Sequence, residues 1–274
     1  MTYQKLRVEI ANNVATVFLV NPPMNVMTLD MRRELDEVLT NLEADPEVAV
    51  LVLTGDGDRS FGTGSDIQEF PGLLADGAVV SRKLAPENET FTKFANFPKP
   101  TVAAIEGFAL GGGMELAAGA DIIVVGENAR FGLPEIKLGA LPGSGGTVRI
   151  TRRIGIGRVS ELMLLGDMVD AQQVLAWGYA NRIAPKGEVL AHAHEFAAKL
   201  AKGPKQAMCA CKQALRYGMY LPEEQAIAKL LGVIDVLSRT NDLHEGADAF
   251  INKRTPDFKD PLDTSKFVGC IFPK

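Results

Sequence analysis

Alternation opens the chain. Leu6, Val8 and Ile10 alternate with polar residues, and Asn12-Asn13 supplies two residues suited to a tight turn, so residues 5–20 read as a hairpin. Asn21-Pro22-Pro23 punctuates its end. The period then changes. From Thr28, a candidate N-cap, Met31, Leu35, Val38, Leu39 and Leu42 fall on one helical face, and Asp45-Pro46 closes that helix. Val48 to Leu53 is apolar throughout, the pattern of a strand buried on both faces. Thr101 to Ile105 and Ile122 to Val125 repeat it.

Irregular stretches separate these runs. Gly55 to Asp66 is a loop rich in glycine and aspartate, and residues 70–90, with Pro71, Gly72 and Gly77, read as a mobile segment. Gly111-Gly112-Gly113 opens a helix-like segment, Met114 to Ala118. Beyond Val125 the pattern is mostly helical, at about 145–153, 158–165, 171–177, 189–202, 205–217, 222–238 and 242–252. Asp170 and Gly178 bracket one of these as N-cap and C-terminal stop. Strands and helices mix up to about residue 200; after it only helices are legible. A strand–strand–helix rhythm is present, but no fixed-period repeat.

Composition narrows the function classes. The 274 residues are 46% hydrophobic and 23% charged, enough for a full-sized core. A net charge of -5 weighs against nucleic-acid binding, which concentrates Lys and Arg on one face. No run reaches the ~18 apolar residues of a membrane span, and Met1 to Lys5 carries no legible targeting signal, so a cytoplasmic location is expected. Three cysteines, Cys209, Cys211 and Cys270, form no disulfide framework and fit a reducing compartment. Cys209 and Cys211 are two apart in a helical run and face different ways, which makes them packing residues rather than a metal pair.

Two strand-to-helix junctions carry the chemistry. They are Phe61-Gly62-Thr63-Gly64-Ser65-Asp66-Ile67 and Gly107 to Leu116, with its three consecutive glycines. Glycine lets backbone approach a ligand closely, and a helix's first turn leaves N–H groups without internal partners. Two such groups aimed at one point make an oxyanion hole for a carbonyl oxygen that becomes negative. Glu115 lies in the first turn of an apolar helix, and Glu135 follows Pro134 just before Ile136. Apolar surroundings raise a carboxyl's pKa towards neutrality and make it a usable acid or base. Read singly, Glu115 is equally a helix-terminus charge and Glu135 a surface carboxylate; beside an oxyanion hole they become a specific set. Other catalytic motifs fail. No phosphate loop or dinucleotide fingerprint is present, Pro142 spoils a nucleophile elbow at Ser144, and His192, His194 and His244 form no triad or metal set.

The ordered series F-x-x-G-x-D-I (Phe61 to Ile67), A-L-G-G-G-x-E-L (Ala109 to Leu116), A-D-I-I (Ala120 to Ile123), F-G-x-P-E-I (Phe131 to Ile136) and L-G-x-x-P-G-x-G-G-T (Leu138 to Thr147) resembles the crotonase, or enoyl-CoA hydratase/isomerase, family. The resemblance runs from the first hairpin to about Asp260. It implies an α/β crotonase spiral of ββα units. Residues 1–200 would form the core with the active site, and 201–274 a C-terminal helical oligomerisation region. It also implies a homotrimer or dimer of trimers, acting on an acyl-CoA thioester in β-oxidation-type metabolism, with no metal and no cofactor beyond the substrate's coenzyme A.

Carried over by position, Glu115 and Glu135 match the catalytic glutamates, and the backbone N–H groups of Ser65 and Gly112 match the oxyanion hole. Ser65 stands where alanine is common; only its amide is required. Gly64, Asp66, Ile67, Gly111, Pro134 and Gly143 would line the substrate pocket, and Arg59, Phe250 and Lys253 the CoA. The family's second basic residue after the D-I pair is Gln68 here, so one CoA contact is missing. Both glutamates being present favours water addition to a 2-enoyl-CoA over double-bond isomerisation, dehalogenation or hydrolysis; between a simple and a specialised polar or cyclic enoyl-CoA, residues 70–90 and the acyl pocket would decide. The glutamate pair also disfavours a non-catalytic binding module.

Overall fold

The computed structural model describes residues 3–265. The opening hairpin pairs β1 (Leu6–Ala11) with β2 (Val14–Leu19) antiparallel, Leu6 opposite Leu19. Asn12 and Asn13 both take positive φ, 52° and 62°, the hand that matches strand twist in a two-residue turn. Helix α1 (Leu29–Ala44) starts at Thr28, whose hydroxyl accepts from Met31 N–H at 3.1 Å. It buries Met31, Leu35, Val38, Leu39 and Leu42, the face its spacing predicts.

The next three turns of chain follow one plan. Each places a first strand in a six-stranded sheet, a second in a four-stranded sheet, and then a helical segment. The first turn is β3 (Val50–Gly55), β4 (Ser60–Gly62) and the helices α2 (Phe70–Ala75) and α3 (Ala85–Ala95). The second is β5 (Thr101–Ile105), β6 (Phe108–Leu110) and α4 (Gly112–Ala117). The third is β7 (Ile122–Gly126), β8 (Arg130–Gly132), a 3-10 turn Pro134–Leu138 and α5 (Gly146–Ile154). Helix α6 (Ile156–Leu165), β9 (Val169–Asp170), α7 (Ala171–Ala176) and β10 (Arg182–Ala184) complete both sheets, and α8 (Val189–Leu200) follows.

The larger sheet runs β1-β2-β3-β5-β7-β10 and the smaller β4-β6-β8-β9. Every pair is parallel except β1–β2 and β8–β9. β2, β3 and β5 are buried along their whole lengths, which explains their mostly apolar sequences. Phe61, Phe91, Phe94, Phe131 and Tyr179 fill the same core.

Residues 70–90 are more regular than their prolines and glycines suggest. They are not a loop but α2, a π-turn at Val80–Leu84 and the start of α3. Pro71 and Pro86 look like breakers in sequence, yet each occupies one of the first two helical positions, where a missing N–H costs nothing.

Two compact units emerge, residues 1–97 with 101–197, and residues 98–100 with 198–274. The second contains α9 (Lys205–Tyr220), α10 (Glu223–Leu237) and α11 (Asn241–Ile251), packed around Cys209, Ala210, Tyr217, Ala226 and Val233. Cys209 is buried and Cys211 exposed, and neither is in a disulfide among the described residues; Cys270 lies outside the described residues. No helix among the described residues is long and apolar enough to cross a membrane, and none of their His, Cys, Asp and Glu side chains cluster as a metal site.

Candidate active site

Three consecutive turns of the spiral each deliver part of one site. From the first comes Ser65. Met27 N–H donates to Gly64 O at 2.8 Å and Asp66 N–H to Met27 O at 3.0 Å, so residues 64 and 66 face Met27. The intervening Ser65 N–H therefore faces away from that bridge. From the second turn comes Gly112, the first residue of α4, whose N–H has no partner within the helix. The two segments nearly touch, since a Cβ on Gly64 would lie 3.1 Å from Gly112 N. Gly64 and Gly111 have φ of 87° and 51°, conformations that favour glycine.

The glycine triplet has a separate neighbour at each position. A Cβ on Gly111 would sit 2.6 Å from Glu135 Oε1. One on Gly112 would meet Gly64 Cα at 3.4 Å, and one on Gly113 would run into Gly62 O at 2.0 Å. Glycine at all three positions lets α4 start against both neighbouring turns.

Glu115 is 1% exposed. Its Oε1 accepts Ser144 N–H at 2.9 Å and Gly146 N–H at 2.6 Å, and Gly146 opens α5. Burial pushes its carboxyl up to about 7; the Gly146 amide opposes this and the nearby Glu135 charge adds to it. Glu135 stands in the first turn of the Pro134–Leu138 segment, and burial raises its pKa too. Its Oε2 is buried without a hydrogen-bond partner among the described residues. Such an oxygen is open to water, a ligand or a reacting group.

Helix α4 is anchored from behind. Tyr179 O–H donates to Met114 O at 2.7 Å and packs edge-on to Phe131. Arg153 on α5 donates to Ala118 O at 3.2 Å, to Tyr179 O at 3.0 Å and to Ala120 O. The guanidinium caps the carbonyl end of the helix that presents Glu115.

The remaining sequence-predicted positions divide. Gly143 packs beside Leu84, within 3.2 Å of where its Cβ would be, and its carbonyl takes the Asn88 amide at 2.5 Å. Asp66 caps the short turn Ile67–Glu69 by accepting from Gln68 N–H at 3.0 Å, and Ile67 is exposed. Arg59 is exposed at the β3–β4 connection. Phe250 and Lys253 lie in the second unit, both exposed, with Lys253 in the left-handed region at φ 52° just past α11. Two contributors were missed: the Ser144–Gly146 amides that hold Glu115, and Glu87 on α3. Glu87 shares the buried face with Thr90, Phe91 and Phe94. A charge at that spacing on an apolar face was the available signal.

The stacked ββα turns are the crotonase fold, with a paired-amide, paired-carboxyl site at one point of the stack. The chain belongs to the enoyl-CoA hydratase/isomerase family, whose model matches residues 9–261. It is 37% identical over 235 residues to a 2,3-dehydroadipyl-CoA hydratase of Escherichia coli, covering 86% of this chain and 89% of that one. It is 36% identical over 253 residues to a mitochondrial enoyl-CoA hydratase of Pongo abelii, covering 91% and 85%. The crystal structure of an enoyl-CoA hydratase from Bacillus anthracis superposes with a TM-score of 0.89 at 31% identity, over 93% of this chain and 99% of that one.

Proposed function

We propose that this enzyme adds water reversibly across the 2,3 double bond of a 2-enoyl-CoA, using Glu115 and Glu135 as its acid/base pair. The thioester oxygen lies between the N–H groups of Ser65 and Gly112. Glu115, anchored by two amides, deprotonates the water that adds at the β-carbon. Glu135 exchanges the proton at the α-carbon. Enolate charge forms on the thioester oxygen, where the two amides stabilise it; one such donor is worth ~3–4 kcal/mol of barrier.

The observation that carries this reading is the contrast between the carboxyls: Glu115 is clamped with its pKa near 7, while Glu135 presents an unpartnered buried oxygen. Fixed by two amides, Glu115 is placed to take a proton from water, while the open Glu135 oxygen is placed to pass one to carbon. Hydratase activity named for several relatives supports the same conclusion. Arg59 would meet the phosphates of CoA and Lys253, reached from a neighbouring copy, its adenosine; three copies would assemble through the C-terminal helices.

The test is the loss of enoyl-thioester absorbance on mixing with crotonyl-CoA and longer analogues. Wild-type protein should bleach it. Glu115→Gln and Glu135→Gln should each lower kcat by about 10²–10⁴-fold, the usual worth of a positioned acid or base. Full activity in Glu115→Gln would sink the assignment.

A further inference from the structure

A third carboxyl is buried beside the pair. Glu87 is 1% exposed. Its Oε1 accepts Ser144 Oγ–H at 2.5 Å, and Ser65 Oγ lies 3.3 and 3.2 Å from its two oxygens. Ser144 is the residue whose N–H holds Glu115, and Ser65 the residue whose N–H serves the oxyanion hole. A Cβ on Gly112 would lie 3.5 Å from Glu87 Oε1, so this carboxyl also stands next to the second oxyanion donor. One side chain touches both halves of the machinery.

We propose that Glu87 is a positioning residue of this site, tying the oxyanion segment at Ser65 to the Glu115 clamp at Ser144. The inference rests on the hydratase reading above. The working charge state follows from location. A carboxylate beside the oxyanion hole would repel the enolate charge that the amides stabilise. A neutral carboxyl keeps the tie, can itself donate one hydrogen bond, and adds no repulsion.

The surroundings favour the neutral form. Burial raises the Glu87 pKa; the hydrogen bonds from Ser144 and Ser65 and the Lys83 charge oppose this, and Glu69 adds to it. Lys83, one turn earlier, is itself engaged by Glu69 at 2.7 Å and by Met27 O at 3.2 Å. From α4, the Glu115 carboxyl disfavours a second negative charge here. From α5, the Arg149 guanidinium donates to Ser144 O at 2.5 Å and faces α3 through Thr92. Ionised Glu87 is therefore the inactive form, and its titration sets an alkaline limb to the pH profile.

The experiment compares wild type, Glu87→Gln and Glu87→Ala over pH 5–10 with a crotonyl-CoA-based panel of enoyl-CoAs, alongside thermal melts. Gln copies the neutral carboxyl in shape. It should lower kcat only three- to tenfold, roughly, and abolish the alkaline fall, with KM little changed. Ala should lower kcat by about 100-fold, the scale of a small misplacement of reacting groups. Glu87→Gln losing as much as Glu115→Gln, or keeping the wild-type alkaline limb, overturns the proposal. So does Glu87→Ala with wild-type kcat and pH profile. If Ala fails to fold, the Gln profile decides alone. Failure of the hydratase reading looks different: wild type would then hydrate no member of the panel, and both conclusions would fall.

Discussion

Glu115 carries two opposed demands. As the base proposed above it must be ionised, yet its site holds on to a proton until about pH 7. Turnover should therefore fall as pH drops through about 7, because protonated Glu115 cannot deprotonate water; a flat acid limb in kcat would contradict this. Stability should move the other way. The folded state binds this proton more tightly than the unfolded chain, where the carboxyl has its ordinary value of 4.5. The contribution is full below 4.5 and is lost as pH rises through 7. Glu115→Gln keeps an oxygen for the Ser144 and Gly146 amides and removes that charge. Its melting temperature should exceed wild type at pH 8, on the order of 3 kcal/mol if the whole shift is recovered, and the gap should close towards pH 4.5. The two carboxyls were legible in the sequence because their flanks are apolar. For Glu87 the apolar helix face signalled burial but not its ties, because its partners are serines 22 residues before it and 57 after it, and no local pattern joins them.

At the scale of the element, α4 is short and depends on what holds it. Gly113→Ala places a methyl on Gly62 O and should cost enough to lower expression and Tm sharply; Gly111→Ala adds a disfavoured φ and a collision with Glu135. Arg153→Ala strips the carbonyl end of α4 of a charged donor. It should destabilise by about 2–3 kcal/mol, and kcat should fall with Tm because Glu115 loses its register. A melt within one degree of wild type would contradict this.

The long elements were plain in the pattern: the hairpin, α1 with its Thr28 cap, and the mostly apolar β3, β5 and β7. The second strand of each turn was not. Ser60–Gly62, Phe108–Leu110 and Arg130–Gly132 have three residues each, too few for an alternation to show, and two of them contain glycine. Strand pairing across turns, rather than local preference, makes them strands.

At the scale of the molecule, the spiral repeat is real but unevenly spaced. Its first strands begin at Val50, Thr101 and Ile122, because the first turn carries α2 and α3. That hides the period from any sequence comparison of the chain with itself. In the second unit, Met219, Ile227, Leu231, Ile234, Phe250 and Ile251 are exposed large apolar side chains. Surfaces of this kind are covered in a working protein. Light scattering should give the mass of three chains or a multiple; a monomer at micromolar concentration would refute assembly through these helices.

Because the proposed site residues Ser65, Glu115 and Glu135 belong to successive turns of a parallel stack, a fragment that lacks any one turn should be inactive. Parallel pairing closes long stretches of chain before any contact repays them. Far-UV ellipticity should thus recover early after dilution from denaturant, as local helices form, while hydration activity lags until the third turn docks on the second. The enzyme's own turnover becomes a clock for the last event of its assembly.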